Sequence, residues 1–197
     1  MDFEEAARRA LPPGHWGYMA TGVEDDQTLR ANIEAYRHIG LRPRRLVDVS
    51  RVDLSTTILG ETWETPLFLC PVSGQRAFHA QGELATARAA RAKRHRMILS
   101  NVSTYSIEDV SAQLGVAPWQ QLYMPREWSE TERLVKRIED AGCPVLVWTV
   151  DLLAGRNRET RDVQNRQIMP VGLPVMLLQM AVRDVLLVDV DGPVVGR

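Results

Sequence analysis

The sequence predicts an α/β fold in which helices cover a parallel sheet. From about residue 66, short apolar segments alternate with helical ones at intervals of a few tens of residues. The apolar segments show no alternation of polar and apolar positions, which is typical of parallel strands buried on both faces. A (β/α) barrel and a doubly wound sheet both fit this pattern. No G-x-G-x-x-G follows the first predicted strand, which disfavours a dinucleotide-binding doubly wound fold.

Helices and a hairpin are predicted before the sheet begins. Asp2 is a candidate cap for a first helix, which Pro12-Pro13-Gly14 would end. A second helix is predicted over residues 24–39, because its apolar residues recur at helical spacing on one face. That face comprises Leu29, Ile33 and Tyr36. The segment STTILGETWETP predicts a small hairpin with its turn around Gly60-Glu61.

Strands and helices then alternate. The predicted strands are LFLCPV at 67–72, MILS at 97–100, WQQLY at 119–123 and PVLVWTV at 144–150, with a weaker fifth candidate at 185–190. The helices between them are GELATARAARAKR, SIEDVSAQL and a segment that begins at Ser129. Ser106 is a candidate N-cap of the second of these, and Ser129 with Glu132 has the spacing of a capping box. Gly142 is expected to close the last helix.

Polar residues stand where each predicted strand ends. The strand ends are Pro71-Val72-Ser73, Ser100-Asn101, Gln121-Leu122-Tyr123 and Thr149-Val150-Asp151. In a (β/α) barrel the carboxyl ends of the strands carry the chemistry, so this pattern predicts a ligand site there. Asp151 would face the pocket from its rim, under the arginine-bearing loop that follows it.

Composition excludes several classes of protein. The chain has 197 residues and a formal net charge of −1, which gives no electrostatic case for a nucleic-acid partner. We expect no signal peptide, because the first residues, MDFEEAARRA, are acidic and amphipathic and contain no basic stretch followed by an apolar core. We expect no transmembrane segment, because the apolar stretch 172–182 is short and contains Pro174. Cys70 and Cys143 lack metal-ligand spacing, and so small a number of cysteines predicts a reduced, cytoplasmic protein.

Five segments between about residues 3 and 166 carry a family resemblance. In order they are YMATGVEDDQTLRANIEAYRHIGLRPRRLVDVSRVDLSTTILG, GELATARAA, ILSNVSTYSIEDV, QLYMPRE and TVDLLAGRNRETRD. The series resembles the FMN-dependent α-hydroxy acid oxidases and dehydrogenases, the family of glycolate oxidase and of lactate and mandelate dehydrogenases. The resemblance implies a (β/α)8 TIM barrel with FMN at its C-terminal mouth, and a small 2-hydroxy acid as substrate.

The resemblance implies two sets of flavin-contacting residues. Pro71, Val72 and Ser73 match a segment whose backbone approaches the flavin ring. Ser100, Gln121 and Thr149 match polar residues that contact the flavin. FMN is therefore the expected cofactor, and no metal is expected.

The resemblance also implies substrate-binding and catalytic residues. Tyr18 and Arg158 match residues that bind the substrate carboxylate, and Tyr123 matches a tyrosine on the side of the substrate hydroxyl. Asp151 matches the carboxylate that orients the catalytic histidine and stabilises its charged form. Such a pairing is chemically reasonable, because a carboxylate fixes the tautomer of a histidine base and supports its imidazolium.

The sequence departs from the family pattern in its second half and at Val102, where the family often has an aromatic residue. The family's later lysine has no counterpart, since no lysine follows Lys136. The histidines are His15, His38, His79 and His95, all upstream of the family's catalytic position. We therefore expect a single truncated domain over 1–197, with N-terminal helices and hairpin at 1–65, the first βα units at 66–166 and a divergent tail at 167–197.

Three functions are compatible with the sequence. The first is FMN-dependent oxidation of a 2-hydroxy acid such as L-lactate or glycolate, with low activity expected of this chain alone because it lacks the catalytic His/Arg half. The second is a non-catalytic barrel remnant that associates through its open sheet edge, for example as a homo-oligomer. The third is an unrelated phosphate-binding barrel enzyme.

Overall fold

The computed structural model describes residues 3–150, which fall into two compact units. Within that range one unit comprises residues 3–52 and the other residues 53–150. Asp151 and Arg158 lie outside the described residues, as do the predicted fifth strand and the tail at 167–197.

The unit 3–52 begins with two short helices. They are α1, Glu4–Ala10, and α2, Pro13–Ala20. The predicted stop at Pro12-Pro13-Gly14 ends α1 and also starts α2. Pro13 suits the first position of a helix, because that position needs no backbone N–H and the ring already sets the helical φ. Asp2 lies outside the described residues, and Phe3 is the N-cap residue of α1.

A third helix, α3, spans Gln27–Ala35 and continues as a 3₁₀ turn over Tyr36–His38. It begins later than predicted, because Glu24 and Asp26 have left-handed backbone angles, with φ of 51° and 67°. Its predicted apolar face is only partly buried in the described structure. Ile33 is 52% exposed, whereas Leu29 is half-buried.

The unit 53–150 opens with the predicted hairpin. Strands β1, Thr56–Ile58, and β2, Glu61–Trp63, pair antiparallel, with Ile58 opposite Glu61. The turn is Leu59-Gly60, one residue earlier than predicted. Both residues have positive φ, 48° and 79°, as the tight turns of two-residue hairpins require.

The hairpin is followed by a four-stranded parallel sheet. Its strands are β3, Phe68–Leu69; β4, Arg96–Leu99; β5, Trp119–Leu122; and β6, Leu146–Trp148. Helices α4, Gly82–Lys93, α5, Ile107–Leu114, and α6, Trp128–Asp140, connect them. The spatial order β3-β4-β5-β6 follows the chain order without a reversal. A barrel wall has this order, whereas a classic doubly wound sheet reverses direction at a switch point.

The sheet separates two apolar clusters. On the helix side, Met97, Leu99 and Leu122 pack with residues of all three connecting helices, among them Ala87, Val110 and Leu134. On the opposite, inner face, Ile98 and Trp119 pack with Trp63 of the hairpin. The rings of Trp63 and Trp119 meet edge to face, with centroids 5.1 Å apart. Both faces of the central strands β4 and β5 are therefore covered, as the lack of polar alternation predicts.

The hairpin covers the inner face at the amino-terminal ends of the strands. Its Trp63 ring contacts Phe68 and Trp119, the first residues of β3 and β5. Glu61 forms an ion pair with Arg96, the first residue of β4, at 3.0 Å. The hairpin thus covers the inner face at the amino-terminal ends of the strands, and a ligand site is left to the opposite, carboxyl end.

The helix-capping predictions had different outcomes. Ser106 is confirmed as the N-cap of α5, where its hydroxyl accepts a hydrogen bond from a backbone N–H of the first turn at 3.1 Å. The capping box at Ser129 is wrong, because α6 already begins at Trp128, whose indole Nε1–H donates to Glu132 at 2.8 Å. Gly142 has a φ of 73° just after α6, as predicted.

Candidate active site

A polar layer lies on the inner face at the carboxyl ends of the strands. Side chains alternate along a strand, so residues two positions apart share a face. Ile98 and Trp119 are opposite each other on the inner face, and two positions further along each strand stand Ser100 and Gln121. Thr149 follows Val147 of the same face in β6. The inner face therefore changes from apolar to polar along the strands.

Gln121 connects three neighbouring strands through its side-chain amide, which is only 2% exposed. Its Oε1 accepts hydrogen bonds from the backbone N–H of Asn101 at 3.2 Å and from the hydroxyl of Ser100 at 3.4 Å. Its Nε2 donates to the hydroxyl of Thr149 at 2.9 Å. The Ser100 hydroxyl in turn accepts from the backbone N–H of Val102 at 3.2 Å. These contacts determine which end of the amide faces which strand.

The segment Pro71-Val72-Ser73 lies beside this layer. The backbone N–H of Gly74, the next residue, donates to the carbonyl oxygen of Val102 at 3.1 Å. This bond ties the loop after β3 to the loop after β4. Pro71 is half-buried, whereas Val72 and Ser73 are exposed, so the segment is open to a ligand.

The other predicted site residues are distributed differently. Tyr123 directly follows β5 and is half-buried. Tyr18 lies on α2, in the unit 3–52, and is 50% exposed. Asp151 and Arg158 are outside the described residues. The structure thus brings Ser100, Gln121, Thr149 and the 71–73 segment together in one unit.

Sequence analysis missed one residue of this region, Glu83. Its carboxylate is fully buried and accepts hydrogen bonds from the backbone N–H groups of Gln75 and Thr104 and from the Thr104 hydroxyl. A signal was present in the sequence. Glu83 stands four and seven residues before Ala87 and Ala90, on the helix face that is buried.

The chemistry of the polar layer fits a flavin. The layer consists of uncharged amide and hydroxyl groups, which can both donate and accept hydrogen bonds. The pyrimidine edge of a flavin presents carbonyl acceptors and one N–H donor, so such a set matches it. Among residues 3–150 no group of three or more histidine, cysteine or acidic side chains could hold a metal ion. Nor does any helix of that range have the length and apolarity needed to cross a bilayer.

Comparison with known proteins decides the family. Residues 7–193 match the sequence profile described as FMN-dependent dehydrogenase. The chain belongs to the FMN-dependent dehydrogenase family. The predicted family resemblance, the TIM-barrel fold class and FMN as the family's cofactor are thereby confirmed.

The relatives compared with this chain are hydroxy acid oxidases. A peroxisomal (S)-2-hydroxy-acid oxidase of Oryza sativa subsp. indica is 41% identical over 169 residues, covering 86% of this chain and 46% of that protein. A glycolate oxidase of Arabidopsis thaliana is 40% identical, covering 88% of this chain and 47% of that protein. A crystal structure of mandelate oxidase with 3,3-difluoro-2-hydroxy-3-phenylpropionic acid has a TM-score of 0.78 at 38% identity. That match covers 86% of this chain and 51% of the oxidase. The chain spans about half the length of these relatives.

The predicted cytoplasmic location is wrong according to these relatives. The rice oxidase and two Arabidopsis thaliana oxidases are named as peroxisomal proteins. The prediction failed because few cysteines indicate only that disulfides do not hold the fold together. That property does not separate the cytoplasm from the peroxisome.

Proposed function

We propose that this chain supplies the flavin-facing wall of an FMN-dependent 2-hydroxy acid oxidoreductase. The observation that carries the proposal is the hydrogen-bonded set of buried Ser100, buried Gln121 and half-buried Thr149 at the carboxyl ends of three adjacent parallel strands. Ligand sites of barrel enzymes lie at that end of the sheet. Membership of the FMN-dependent dehydrogenase family supports FMN as the ligand.

The residues that would hold FMN are Pro71, Val72, Ser73, Ser100, Gln121 and Thr149. The amide and hydroxyl groups of Ser100, Gln121 and Thr149 are already oriented by one another, so binding at them would require little reorganisation. The exposed backbone at Val72 and Ser73 would lie along the flavin ring. When bound, FMN supplies the acceptor for the hydride equivalent removed from the substrate carbon.

Further residues would act on the substrate. By the family resemblance, Tyr18 and Arg158 would bind the carboxylate of a 2-hydroxy acid, and Tyr123 would hydrogen-bond on the side of its hydroxyl. Asp151 orients a histidine base and supports its imidazolium, as carboxylates do in related acid–base pairs. That histidine would come from the later motif of the family, because none of the four histidines of this chain matches it.

The substrate class follows from the relatives. They are named for glycolate, for mandelate and for (S)-2-hydroxy acids, so we propose an (S)-2-hydroxy acid here. L-lactate stays a prediction from the sequence. Val102, half-buried beside the polar layer, replaces the aromatic residue that is frequent in the family, and its smaller side chain favours a substrate bulkier than glycolate.

A flavin titration tests the proposal. The purified chain is titrated with FMN while quenching of the flavin fluorescence is followed, and the titration is repeated with Gln121→Leu. Gln113→Leu is the matched control, because Gln113 lies on α5, away from the strand ends, and its amide oxygen accepts a hydrogen bond from the exposed Arg88 of α4. We expect saturable binding that Gln121→Leu weakens and Gln113→Leu does not. Absence of FMN binding by the unaltered chain would refute the proposed role.

Substrate turnover needs a separate readout. L-lactate, glycolate and (S)-mandelate are added without oxygen to the flavin-loaded chain, and the visible absorbance of the flavin is followed. A loss of absorbance with any of them would assign the full reaction to this chain. Unchanged absorbance despite bound FMN would limit the chain to the flavin-binding part of the proposal.

Self-association is a further proposal about the same chain. Within the described residues β3 and β6 are the edge strands of the parallel sheet. Exposed edge strands favour pairing with another chain. Light scattering on the purified chain tests this, and a monomer at all concentrations would argue against it.

A further inference from the structure

Glu83 joins the two loops that border the proposed flavin site. It is the second residue of α4 and is fully buried. Its Oε1 accepts from the backbone N–H of Gln75, in the loop after β3, at 3.2 Å. The same oxygen accepts from the backbone N–H of Thr104, in the loop after β4, at 3.0 Å, while Oε2 accepts from the Thr104 hydroxyl. One carboxylate thus binds two backbone segments that are remote from each other in sequence.

The Gln75 side chain extends this connection to the flavin-facing segment. Its Oε1 accepts from the hydroxyl of Thr86, also on α4, at 2.6 Å. Its Nε2 donates to the carbonyl oxygen of Val72 at 3.3 Å. The hydrogen bond from the Gly74 N–H to the Val102 carbonyl oxygen is a further link between the two loops. The conformation of the 72–74 backbone therefore depends on groups that Glu83 holds in place.

We propose that Glu83 is a positioning residue of the flavin site. By holding the loops after β3 and β4 at one distance, it fixes the backbone at Val72-Ser73 against the polar layer at Ser100. This inference rests on the proposed function, since it concerns how that site is held. The position of its two oxygen atoms matters more for these contacts than its charge, because two of the three donors to Glu83 are uncharged backbone N–H groups.

Two substitutions separate the effect of the length of the Glu83 side chain from the effect of its charge. Glu83→Asp keeps the charge but withdraws the carboxylate by about 1.5 Å, beyond hydrogen-bond distance of both N–H groups. Glu83→Gln keeps the reach, because its carbonyl oxygen can accept from both N–H groups while its amide donates to the Thr104 hydroxyl. We expect Glu83→Asp to raise the FMN dissociation constant about tenfold and Glu83→Gln to raise it less than about threefold.

Glu108→Gln is the matched control, because Glu108 is likewise the second residue of its helix, α5, but is exposed. It should leave FMN affinity unchanged. Circular dichroism at the titration temperature establishes that each variant is folded. If Glu83→Asp does not fold, Thr104→Val removes one of the three hydrogen bonds and should raise the dissociation constant about threefold.

Amide hydrogen exchange without FMN keeps the inference separate from the proposed function. Exchange at Gln75 and Thr104 should accelerate about tenfold in Glu83→Asp and stay near that of the unaltered chain in Glu83→Gln. If the unaltered chain does not bind FMN, the proposed function fails, and the positioning of the two loops is judged by exchange alone. Equal exchange in all variants, or an affinity loss larger in Glu83→Gln than in Glu83→Asp, would overturn the inference.

Discussion

The polar bridge at Gln121 leads to a quantitative prediction about stability. Gln121→Leu keeps a side chain of similar size but removes both hydrogen-bonding ends of the amide. The backbone N–H of Asn101 then loses its bond to Oε1, in a residue that is only 8% exposed. The hydroxyls of Ser100 and Thr149 lose a partner as well. The substitution therefore leaves polar groups at the strand ends without their present bonds.

The expected cost can be worked out from these contacts. A buried donor left without an acceptor costs about 1–3 kcal/mol. The Ser100 hydroxyl can rotate and Thr149 is only half-buried, so we assign them little additional cost. The leucine adds some apolar burial, which offsets part of the loss. We expect the free energy of unfolding of Gln121→Leu to fall by about 1–3 kcal/mol.

Urea denaturation followed by tryptophan fluorescence measures this loss. With a slope of about 2 kcal/mol per molar urea, a loss of about 2 kcal/mol lowers the midpoint by roughly 1 M. Gln113→Leu should shift the free energy of unfolding by less than about 0.5 kcal/mol, because Gln113 is only half-buried and its bond to Arg88 is exposed to solvent. Thr149→Val, combined with Gln121→Leu, should cost less than the sum of the two single changes, because both remove the same bond.

A midpoint that Gln121→Leu leaves unchanged or raises would refute this reasoning. It would mean that the amide does not bridge the three strands in solution. Strict additivity of Gln121→Leu and Thr149→Val would refute the bond between those two side chains specifically.

Two further predictions concern Trp63, which covers the inner face of the sheet, and the two cysteines. Trp63→Ala should destabilise the protein by about 3–5 kcal/mol in the same assay, because Trp63 is 5% exposed and fills the inner face. Trp128→Ala, at a site 60% exposed, should lower the free energy of unfolding far less. Equal losses in the two variants would contradict the packing of Trp63 against the inner face. Burial, reinforced by a nearby carboxylate, raises the pKa of the Cys143 thiol to about 11. Iodoacetamide at pH about 8 should therefore label exposed Cys70 first, and Cys143 only when urea unfolds the chain, because only the thiolate reacts. Mass mapping that found equal labelling of both in the folded protein would oppose this.

The raised pKa of Cys143 also implies a direction for stability against pH. The unfolded thiol ionises near its ordinary pKa of 9.0, whereas the folded thiol keeps its proton until about 11. Between these values the folded state binds more protons, so this group lowers stability as pH rises from about 9 to about 11. Cys143→Ser should reduce that part of the alkaline decline.

Local signals explain which elements could be predicted. Ser106 was identified as a cap because its hydroxyl bonds a backbone group three residues away, within one turn of helix. Gly142 was predictable as the end of α6 because glycine, which has no Cβ, adopts a positive φ without steric cost. The capping box at Ser129 failed because the Trp128 indole, a neighbour on the same turn, already bonds Glu132. Two local patterns competed there, and their spacing alone does not tell which forms.

The sequence by itself determined the alternation of strands and helices and the polar character of the strand ends. Only the tertiary structure decided which polar groups meet. Gln121 reaches Thr149 across 28 residues of chain, and Glu83 reaches Thr104 across 21. Such bonds depend on the register between parallel strands and on the face that each helix buries, and burial makes them strong because water cannot compete for the same groups.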